Sequence, residues 1–211
     1  MLPRLYAICD ADVCAQAGWT LPDYAAALMD GGVTLLQLRA KQAASRDFLA
    51  VTEAVVARAA ACGATVVVND RADIARLAGA SGVHVGQDDL APADVRRVIG
   101  GEAVLGLSTH TVAQLDAAVR EPVTYVAVGP VFGTATKDTG YEAVGLDLVR
   151  RACAVAGPSR LPVVAIGGIT LERAPGAIRA GAASVAVITD LLAGGDPAAR
   201  ARTFLDALSR V

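Results

Sequence analysis

Eight short apolar runs alternate with eight longer amphipathic segments along the chain, and this order constrains the fold more than any other feature. Runs rich in Val, Ile and Leu predict strands at residues 5–9, 35–39, 65–69, 82–85, 104–108, 125–128, 162–165 and 184–188. Segments with helical spacing predict helices at residues 21–30, 45–61, 71–78, 92–99, 111–119, 146–156, 172–180 and 197–209. An open doubly wound sheet is the alternative, but eight βα units favour a closed barrel. We therefore predict the α/β class and a single (β/α)8 barrel, one domain over residues 1–211.

The composition narrows the classes of partner. The 211 residues suffice for one domain with a fully buried core. A net charge of −2 gives no general reason to expect nucleic acid or an anionic membrane, and no apolar run reaches the roughly 18 residues that span a bilayer. The four cysteines form no Cys-x-x-Cys pair, and the first residues do not resemble a secretory leader. We expect a cytoplasmic protein that acts on small molecules, without nucleic-acid or membrane partners, and with a homo-oligomer as a possible state.

Polar residues follow nearly every predicted strand. In a (β/α)8 barrel the loops after the strands gather at one rim, and active sites lie there. These loops hold several residues that are rare in this chain: both lysines, Lys41 and Lys137, the single asparagine, Asn69, and one of the two histidines, His110. The other histidine, His84, lies just before the fourth rim loop. This gathering predicts a functional site at the rim.

Carboxylates and cations at this rim indicate a metal ion and a polyanion. Asp70 and Asp89 follow neighbouring strands, and Mg2+ combines such carboxylates with waters and phosphate oxygens. Arg39, Lys41 and Lys137 supply positive charge in the same loops. We therefore predict that Asp70 and Asp89 hold Mg2+ beside a phosphorylated ligand.

Glycines and hydroxyls indicate a second anion site. Gly167-Gly168 follows the seventh strand, and we expect it to open a helix near Glu172, whose first N–H groups would receive a phosphate. Ser108, Thr134 and Thr136 add hydroxyl donors. Two anionic groups with one metal fit this set better than one small uncharged ligand.

Each of these residues also has an ordinary structural role. Asp70 could cap the third helix, and Asp89 could close a turn or cap the fourth. His84, inside a strand, favours a packed and hydrogen-bonded core histidine. His110 could cap the fifth helix, and Lys137 could be a solvated surface side chain. Their joint placement at one rim is what favours the functional interpretation.

Six segments resemble the motifs of the thiamine phosphate synthase family, and the resemblance covers essentially the whole chain. They are Gln37-Leu38-Arg39-Ala40-Lys41, Val68-Asn69-Asp70, His84-Val85-Gly86-Gln87-Asp88-Asp89, Gly106-Leu107-Ser108-Thr109-His110, Gly129-Pro130-Val131-Phe132 with Thr134-Ala135-Thr136-Lys137, and Ile166-Gly167-Gly168-Ile169. Each segment alone has moderate specificity. Six in order, each at a strand end, form a strong signal.

The resemblance implies an enzyme that transfers the 4-amino-2-methylpyrimidin-5-ylmethyl group from its diphosphate to 4-methyl-5-hydroxyethylthiazole phosphate. The products would be thiamine phosphate and pyrophosphate, formed by a dissociative mechanism with Mg2+ as cofactor held by Asp70 and Asp89. Lys41, Ser108 and Lys137 would act in catalysis. By the same likeness, the substrate-binding residues are Gln37, Leu38, Arg39, Ala40, Lys41, Asn69, Ser108, Thr134, Ala135, Thr136, Lys137, Gly168, Ile188 and Thr189.

Two other functions remain open. A thiazole tautomerase-like relative on the same barrel would use His110 for proton transfer, and it should need neither the aspartate pair nor the loop at Thr134–Lys137. A non-catalytic protein that binds a phosphorylated metabolite would not need a metal pair facing several cations. The residues present favour the synthase.

Overall fold

The computed structural model describes residues 2–133 and 143–211, and its eight parallel strands close into a barrel. The strands are β1 (Leu5–Asp10), β2 (Leu35–Arg39), β3 (Thr65–Asn69), β4 (Gly82–Val85), β5 (Val104–Thr109), β6 (Tyr125–Val128), β7 (Val163–Ile166) and β8 (Ser184–Val187). Each strand pairs with the next one along the chain, and β8 pairs with β1. The predicted barrel is therefore confirmed over the open sheet.

Helices connect the strands on the outside of the barrel. They are α1 (Ala11–Gln16), α2 (Leu21–Asp30), α3 (Ser45–Cys62), α4 (Ala72–Leu77), α5 (Pro92–Ile99), α6 (Val112–Ala118), α7 (Gly145–Ala156), α8 (Ala174–Arg179) and α9 (Pro197–Ser209). Short 3-10 turns lie at Gly157–Ser159 and Thr189–Leu192. Within the two described ranges, no helix combines the length and the apolar character needed to cross a membrane.

The first of these helices, α1, is absent from the sequence-based prediction. It has 6 residues, too few to show a helical repeat of apolar positions. Its start is set by Asp10, whose carboxylate oxygen Oδ1 accepts hydrogen bonds from the backbone N–H groups of Asp12 and Val13, both at 3.2 Å. The same residue ends β1, so one side chain closes the strand and opens the helix.

Two apolar layers hold the barrel together. One lies between the strands and the surrounding helices and contains residues such as Leu36, Val68 and Phe204. The other fills the barrel interior with Tyr6, Ile8, Leu35, Val67, Tyr125, Ala127, Val164 and Ala186. Side chains alternate along a strand, so every second residue points into the barrel. At the carboxyl ends of the strands these inward positions carry the polar residues of the rim.

Candidate active site

A lysine and two aspartates meet at the mouth of the barrel, on the loops after β2, β3 and β4. The ammonium Nζ of Lys41 lies 3.3 Å from the carboxylate oxygen Oδ2 of Asp70. Asp89 lies close enough to raise the pKa of the Asp70 carboxyl. The structure thus brings together the two residues that the sequence assigned to Mg2+, with one predicted cation beside them.

The electrostatics of this pair favour an added cation. Burial raises the pKa of the Asp70 carboxyl above its usual value, and the hydrogen bond and negative charge of Asp89 raise it further. Lys41 offsets part of that pKa shift. A divalent ion between the two carboxylates would relieve their repulsion more fully than one ammonium group does.

The backbone at Asp70 is unusual. Its φ of 64° lies in the left-handed region, which costs free energy for a residue with a side chain, although aspartate and asparagine tolerate it best. Its N–H donates to the carbonyl of His84 at 2.8 Å. Arg71 occupies the cap position of α4 and makes no side-chain capping bond, so Asp70 does not cap that helix. Its carboxylate instead lies beside Lys41 and Asp89.

Asp89 has a structural role as well. Its Oδ2 accepts a hydrogen bond from the backbone N–H of Gly86 at 2.7 Å and closes the turn after β4. The cap position of α5 belongs to Ala91, without a side-chain hydrogen bond. The turn interpretation of Asp89 is therefore correct and the capping interpretation is wrong. Closing the turn holds one carboxylate oxygen in a fixed position near Asp70.

The two carboxylates are the type of ligand that Mg2+ prefers, although there are only two of them. Across residues 2–133 and 143–211, no group of three or more His, Cys, Asp or Glu side chains is arranged to hold a metal. Mg2+ commonly takes only one or two carboxylates from a protein and completes its shell with waters and substrate phosphates. Two adjacent carboxylates at an open rim meet that requirement, provided that a phosphorylated substrate supplies the rest.

Asp10 is a site residue that the sequence interpretation missed. Its carboxylate oxygen Oδ2 accepts a short hydrogen bond from Nη1 of Arg39, and the two residues are directly paired between β1 and β2. In this ion pair the side chain of Arg39 is only 14% exposed and that of Asp10 only 5%. The alternation of Tyr6, Ile8 and Asp10 toward the interior of β1 is a signal that could have found it.

The remaining predicted residues of β2 and its loop have different surroundings. Leu38 is fully buried in the layer between barrel and helices, so its backbone is what faces the rim. Ala40, Lys41, Asn69 and Asp70 line a cavity of about 150 Å³ between the loops after β2 and β3. Four predicted residues therefore share one concave surface.

Two predicted side chains extend into the barrel interior. The amide nitrogen Nε2 of Gln37 donates to the hydroxyl of Tyr6 at 2.8 Å. The hydroxyl oxygen Oγ of Ser108 lies 2.8 Å from Nε2 of His84. His84 is 7% exposed and hydrogen-bonded through both ring nitrogens, as expected for a packed core histidine. These side chains form the base of the mouth.

Gly106 provides the space for this base, and replacing it by alanine is expected to destabilise the protein. A Cβ atom there would lie 2.1 Å from Cζ of Tyr125 and 2.4 Å from Nδ1 of His84. Such overpacking costs roughly 1–3 kcal/mol. Gly101→Ala is the matched control, because a Cβ there meets nothing within 4 Å. Urea unfolding of both variants measures the difference, and equal stabilities would contradict this account of Gly106.

Gly168, Ile188 and Thr189 lie on the loops after β7 and β8. In the closed strand order these loops face β3 and β4 across the mouth, so they lie opposite Asp70 and Asp89. The helix α8 begins at Ala174, so Gly167-Gly168 lies in the preceding loop and the expectation that it opens the helix is wrong. A 3-10 turn starts at Thr189, on the neighbouring loop after β8.

Arg173 is a second residue that the sequence interpretation missed. Its guanidinium donates from Nη1 to the carbonyl of Gly168 at 2.9 Å and stacks 4.8 Å from the ring centre of Phe132. Backbone hydrogen bonds from Val131 to Ile166 and from Phe132 to Gly167, at 2.8 and 3.0 Å, join the same two loops. The loop after β6 is thereby tied to the loop that carries Gly168.

The contacts of His110 and the loop after Phe132 bear on the choice between the synthase and the alternative functions. The ring nitrogen Nδ1 of His110 lies 2.6 Å from the carbonyl of Gly129, so Nδ1 is a donor. Thr111, and not His110, caps α6. The predicted residues Thr134, Ala135, Thr136 and Lys137 lie outside the described residues.

Comparisons with known proteins identify the family of this chain. The family model for thiamine monophosphate synthase matches residues 5–191. A thiamine-phosphate synthase of Koribacter versatilis is 48% identical over 209 residues, which cover 98% of this chain and 96% of that protein. One of Roseiflexus castenholzii is 41% identical over 203 residues, with 96% and 86% covered.

A solved structure, the thiamine phosphate pyrophosphorylase from Pyrococcus furiosus, has the same fold. Its TM-score is 0.85 at 24% identity, and the match covers 98% of this chain and 96% of that one. The resemblance based on the six strand-end segments is confirmed by the family match. The chain is therefore an enzyme, a transferase, that belongs to the thiamine monophosphate synthase family.

Proposed function

We propose that this enzyme is a thiamine phosphate synthase whose single domain, residues 1–211, is catalytic. It joins 4-amino-2-methylpyrimidin-5-ylmethyl diphosphate to 4-methyl-5-hydroxyethylthiazole phosphate and releases pyrophosphate. The observation that carries the proposal is the cluster of Lys41, Asp70 and Asp89 across the mouth from the loops of Gly168 and Thr189. Two anion sites on opposite sides of one mouth suit two phosphorylated substrates that must meet between them.

The diphosphate belongs to the side of β2, β3 and β4. Arg39, Lys41 and Asn69 are proposed to bind its oxygens, with Asp70 and Asp89 holding Mg2+ against them. Arg39 and Lys41 are already paired, Arg39 with Asp10 and Lys41 with Asp70. Three carboxylates thus stand against two cations, which is unfavourable for a bare diphosphate. This imbalance supports a requirement for a divalent ion.

The phosphate of the thiazole substrate belongs to the other side. Barrels of this class commonly bind a phosphate at the loops after the seventh and eighth strands, near a short extra helix. Gly168 and the backbone at Ile188-Thr189 occupy those positions here. Thr134, Ala135, Thr136 and Lys137 are proposed on the sequence alone to complete this side, with Lys137 reaching the diphosphate.

The proposed reaction is dissociative. The bond between the pyrimidinylmethyl carbon and the diphosphate oxygen breaks first, and its electrons leave with the diphosphate. Lys41 and Lys137 stabilise the developing negative charge, while Gln37 and Ser108 hold the ring that carries the cation. The thiazole nitrogen then donates its lone pair to the cationic carbon. When bound, Mg2+ supplies Lewis-acid stabilisation of the departing diphosphate.

The first experiment is a synthesis assay. The folded protein, mixed with both substrates and Mg2+, is expected to release pyrophosphate and form thiamine phosphate in equal amounts. Excess EDTA should stop the reaction, and added Mg2+ should restore it, because Asp10, Asp70 and Asp89 outnumber the two cations, Arg39 and Lys41, on the side that is proposed to bind the diphosphate. Mixtures lacking either substrate are the controls. Failure of a demonstrably folded protein to form product would exclude the synthase.

The proposed setting is the cytoplasm, with small molecules as the partners. All four cysteines, Cys9, Cys14, Cys62 and Cys153, are free thiols, which suits a reducing compartment. The net charge of −2 supports a protein without nucleic-acid or anionic membrane partners. A homo-oligomer remains compatible with these properties.

A further inference from the structure

Four buried side chains and the half-buried Ser108 form a continuous line of hydrogen bonds across the barrel, here called the interior network. The amide nitrogen of Gln37 lies 2.8 Å from the hydroxyl of Tyr6, which lies 3.0 Å from that of Tyr125. The Tyr125 hydroxyl lies 2.8 Å from Nδ1 of His84, whose Nε2 lies 2.8 Å from Oγ of Ser108. The line joins β2 to β5 through β1, β6 and β4.

The middle of the interior network is held away from water. Tyr6 is 1% exposed and Tyr125 is fully buried. Burial raises the pKa of both phenols well above the usual value, so both carry their protons. The ring of His84 stacks on that of Tyr125 at a 5.5 Å centroid distance. Tyr6 and Tyr125 are therefore fixed, protonated members of the interior network.

The hydrogen bonds of the interior network all run in one direction, from donor to acceptor along the line. A tyrosine hydroxyl that accepts one hydrogen bond from a neighbour has a single proton to donate to the other. Because the amide of Gln37 donates to Tyr6, Tyr6 donates to Tyr125 and Tyr125 donates to Nδ1 of His84. His84 then carries its proton on Nε2 and donates to Ser108. The two ends follow: the carbonyl of Gln37 is left as an acceptor, and the hydroxyl proton of Ser108 is left as a donor.

We propose that Tyr6, Tyr125 and His84 are positioning residues that fix complementary hydrogen-bonding ends, an acceptor on Gln37 and a donor on Ser108, for an aromatic ring that presents one donor and one acceptor. An aminopyrimidine, with an exocyclic amine beside a ring nitrogen, has that chemistry. This inference rests on the proposed function, because Gln37 and Ser108 are its ring-binding residues. Reversal of the network would exchange donor and acceptor at both ends together.

The test uses single replacements that keep ring packing. Tyr125→Phe and Tyr6→Phe each remove one hydroxyl from the interior network. Tyr24→Phe is the matched control, since the buried hydroxyl of Tyr24 on α2 has no hydrogen-bond partner in the described structure. Calorimetry compares binding of the pyrimidine diphosphate with binding of inorganic pyrophosphate, both with Mg2+.

Either network variant is expected to bind the pyrimidine diphosphate about tenfold more weakly, while pyrophosphate binding stays within about twofold. The double variant should resemble the single ones, because the two hydroxyls belong to one line. Tyr24→Phe should leave both affinities unchanged. Equal weakening of both ligands would assign the tyrosines a structural role, and unchanged ring affinity would overturn the proposal.

A second readout needs no turnover. The chain has two histidines, so ring nitrogen NMR of the free protein resolves them, with His110→Asn assigning the signals. His84 is expected to be protonated at Nε2 and bare at Nδ1, and Tyr125→Phe should shift its Nδ1 signal. Protonation at Nδ1 in the native protein would overturn the stated direction. If the native protein fails the synthesis assay, the proposed function falls, and this spectrum still decides the direction.

Discussion

Asp70→Asn is expected to lower turnover by at least about 100-fold, which corresponds to about 3 kcal/mol of transition-state stabilisation. The substitution keeps a side chain that tolerates the left-handed backbone at φ 64°. It removes the negative charge that Lys41 and Asp89 contact. Stability should hold or rise, because one of two facing carboxylates is gone. Activity and stability are thus expected to change in opposite directions.

The control for this prediction is Asp73→Asn. Asp73 lies three positions away on α4, and its half-exposed side chain pairs with Arg71. Turnover of that variant should stay within about twofold of the native enzyme, since surface pairs contribute little. Steady-state kinetics and thermal unfolding, measured on both variants, provide the comparison. Native-like turnover of Asp70→Asn would remove Asp70 from the site.

Asp10→Ala is expected to cost about 3–5 kcal/mol of folding free energy, because it leaves the largely buried guanidinium of Arg39 without its partner. The change also removes the cap of α1. Asp30→Ala is the matched control. It breaks the exposed ion pair of Asp30 with Arg58, whose side chains are 60% and 52% exposed, respectively, and it should cost at most about 1 kcal/mol. Urea unfolding measures both.

A double variant separates folding from function. Asp10→Ala with Arg39→Met replaces both charges by apolar groups, and it should be more stable than Asp10→Ala alone. It should nevertheless bind pyrophosphate poorly, because the guanidinium is missing. Stability recovered together with native pyrophosphate affinity would show that Arg39 does not contact the anion.

The alternation of apolar runs was enough to predict the barrel. The bounds of β2, β3, β4 and β6 agree with the prediction because each is a compact apolar run between clear breaks. The strand β7 is shifted by one residue, since pairing with β6 and β8 sets its ends and the local pattern does not. The short helix α1 depends on one capping side chain and leaves no periodic signal.

The residues at the rim could be predicted from the ends of the strands, whereas the residues that they contact could not. Asp70 and Asp89 were predictable because parallel strands carry their final residues to one rim. The pairing of Asp10 with Arg39 spans 29 positions and that of Tyr6 with Tyr125 spans 119, so each depends on the register of a closed sheet. The space at Gly106 likewise exists only once β4, β5 and β6 are aligned.

The most direct test of the account is a crystal structure with pyrophosphate and Mn2+ in place of Mg2+. Mn2+ gives an anomalous signal that locates the metal independently of the refined atoms. We expect one strong peak within ligand distance of both Asp70 and Asp89, beside pyrophosphate oxygens that also contact Lys41 and Arg39. A peak elsewhere, or pyrophosphate bound at the loops of Gly168 and Thr189 with the aspartates unliganded, would contradict it.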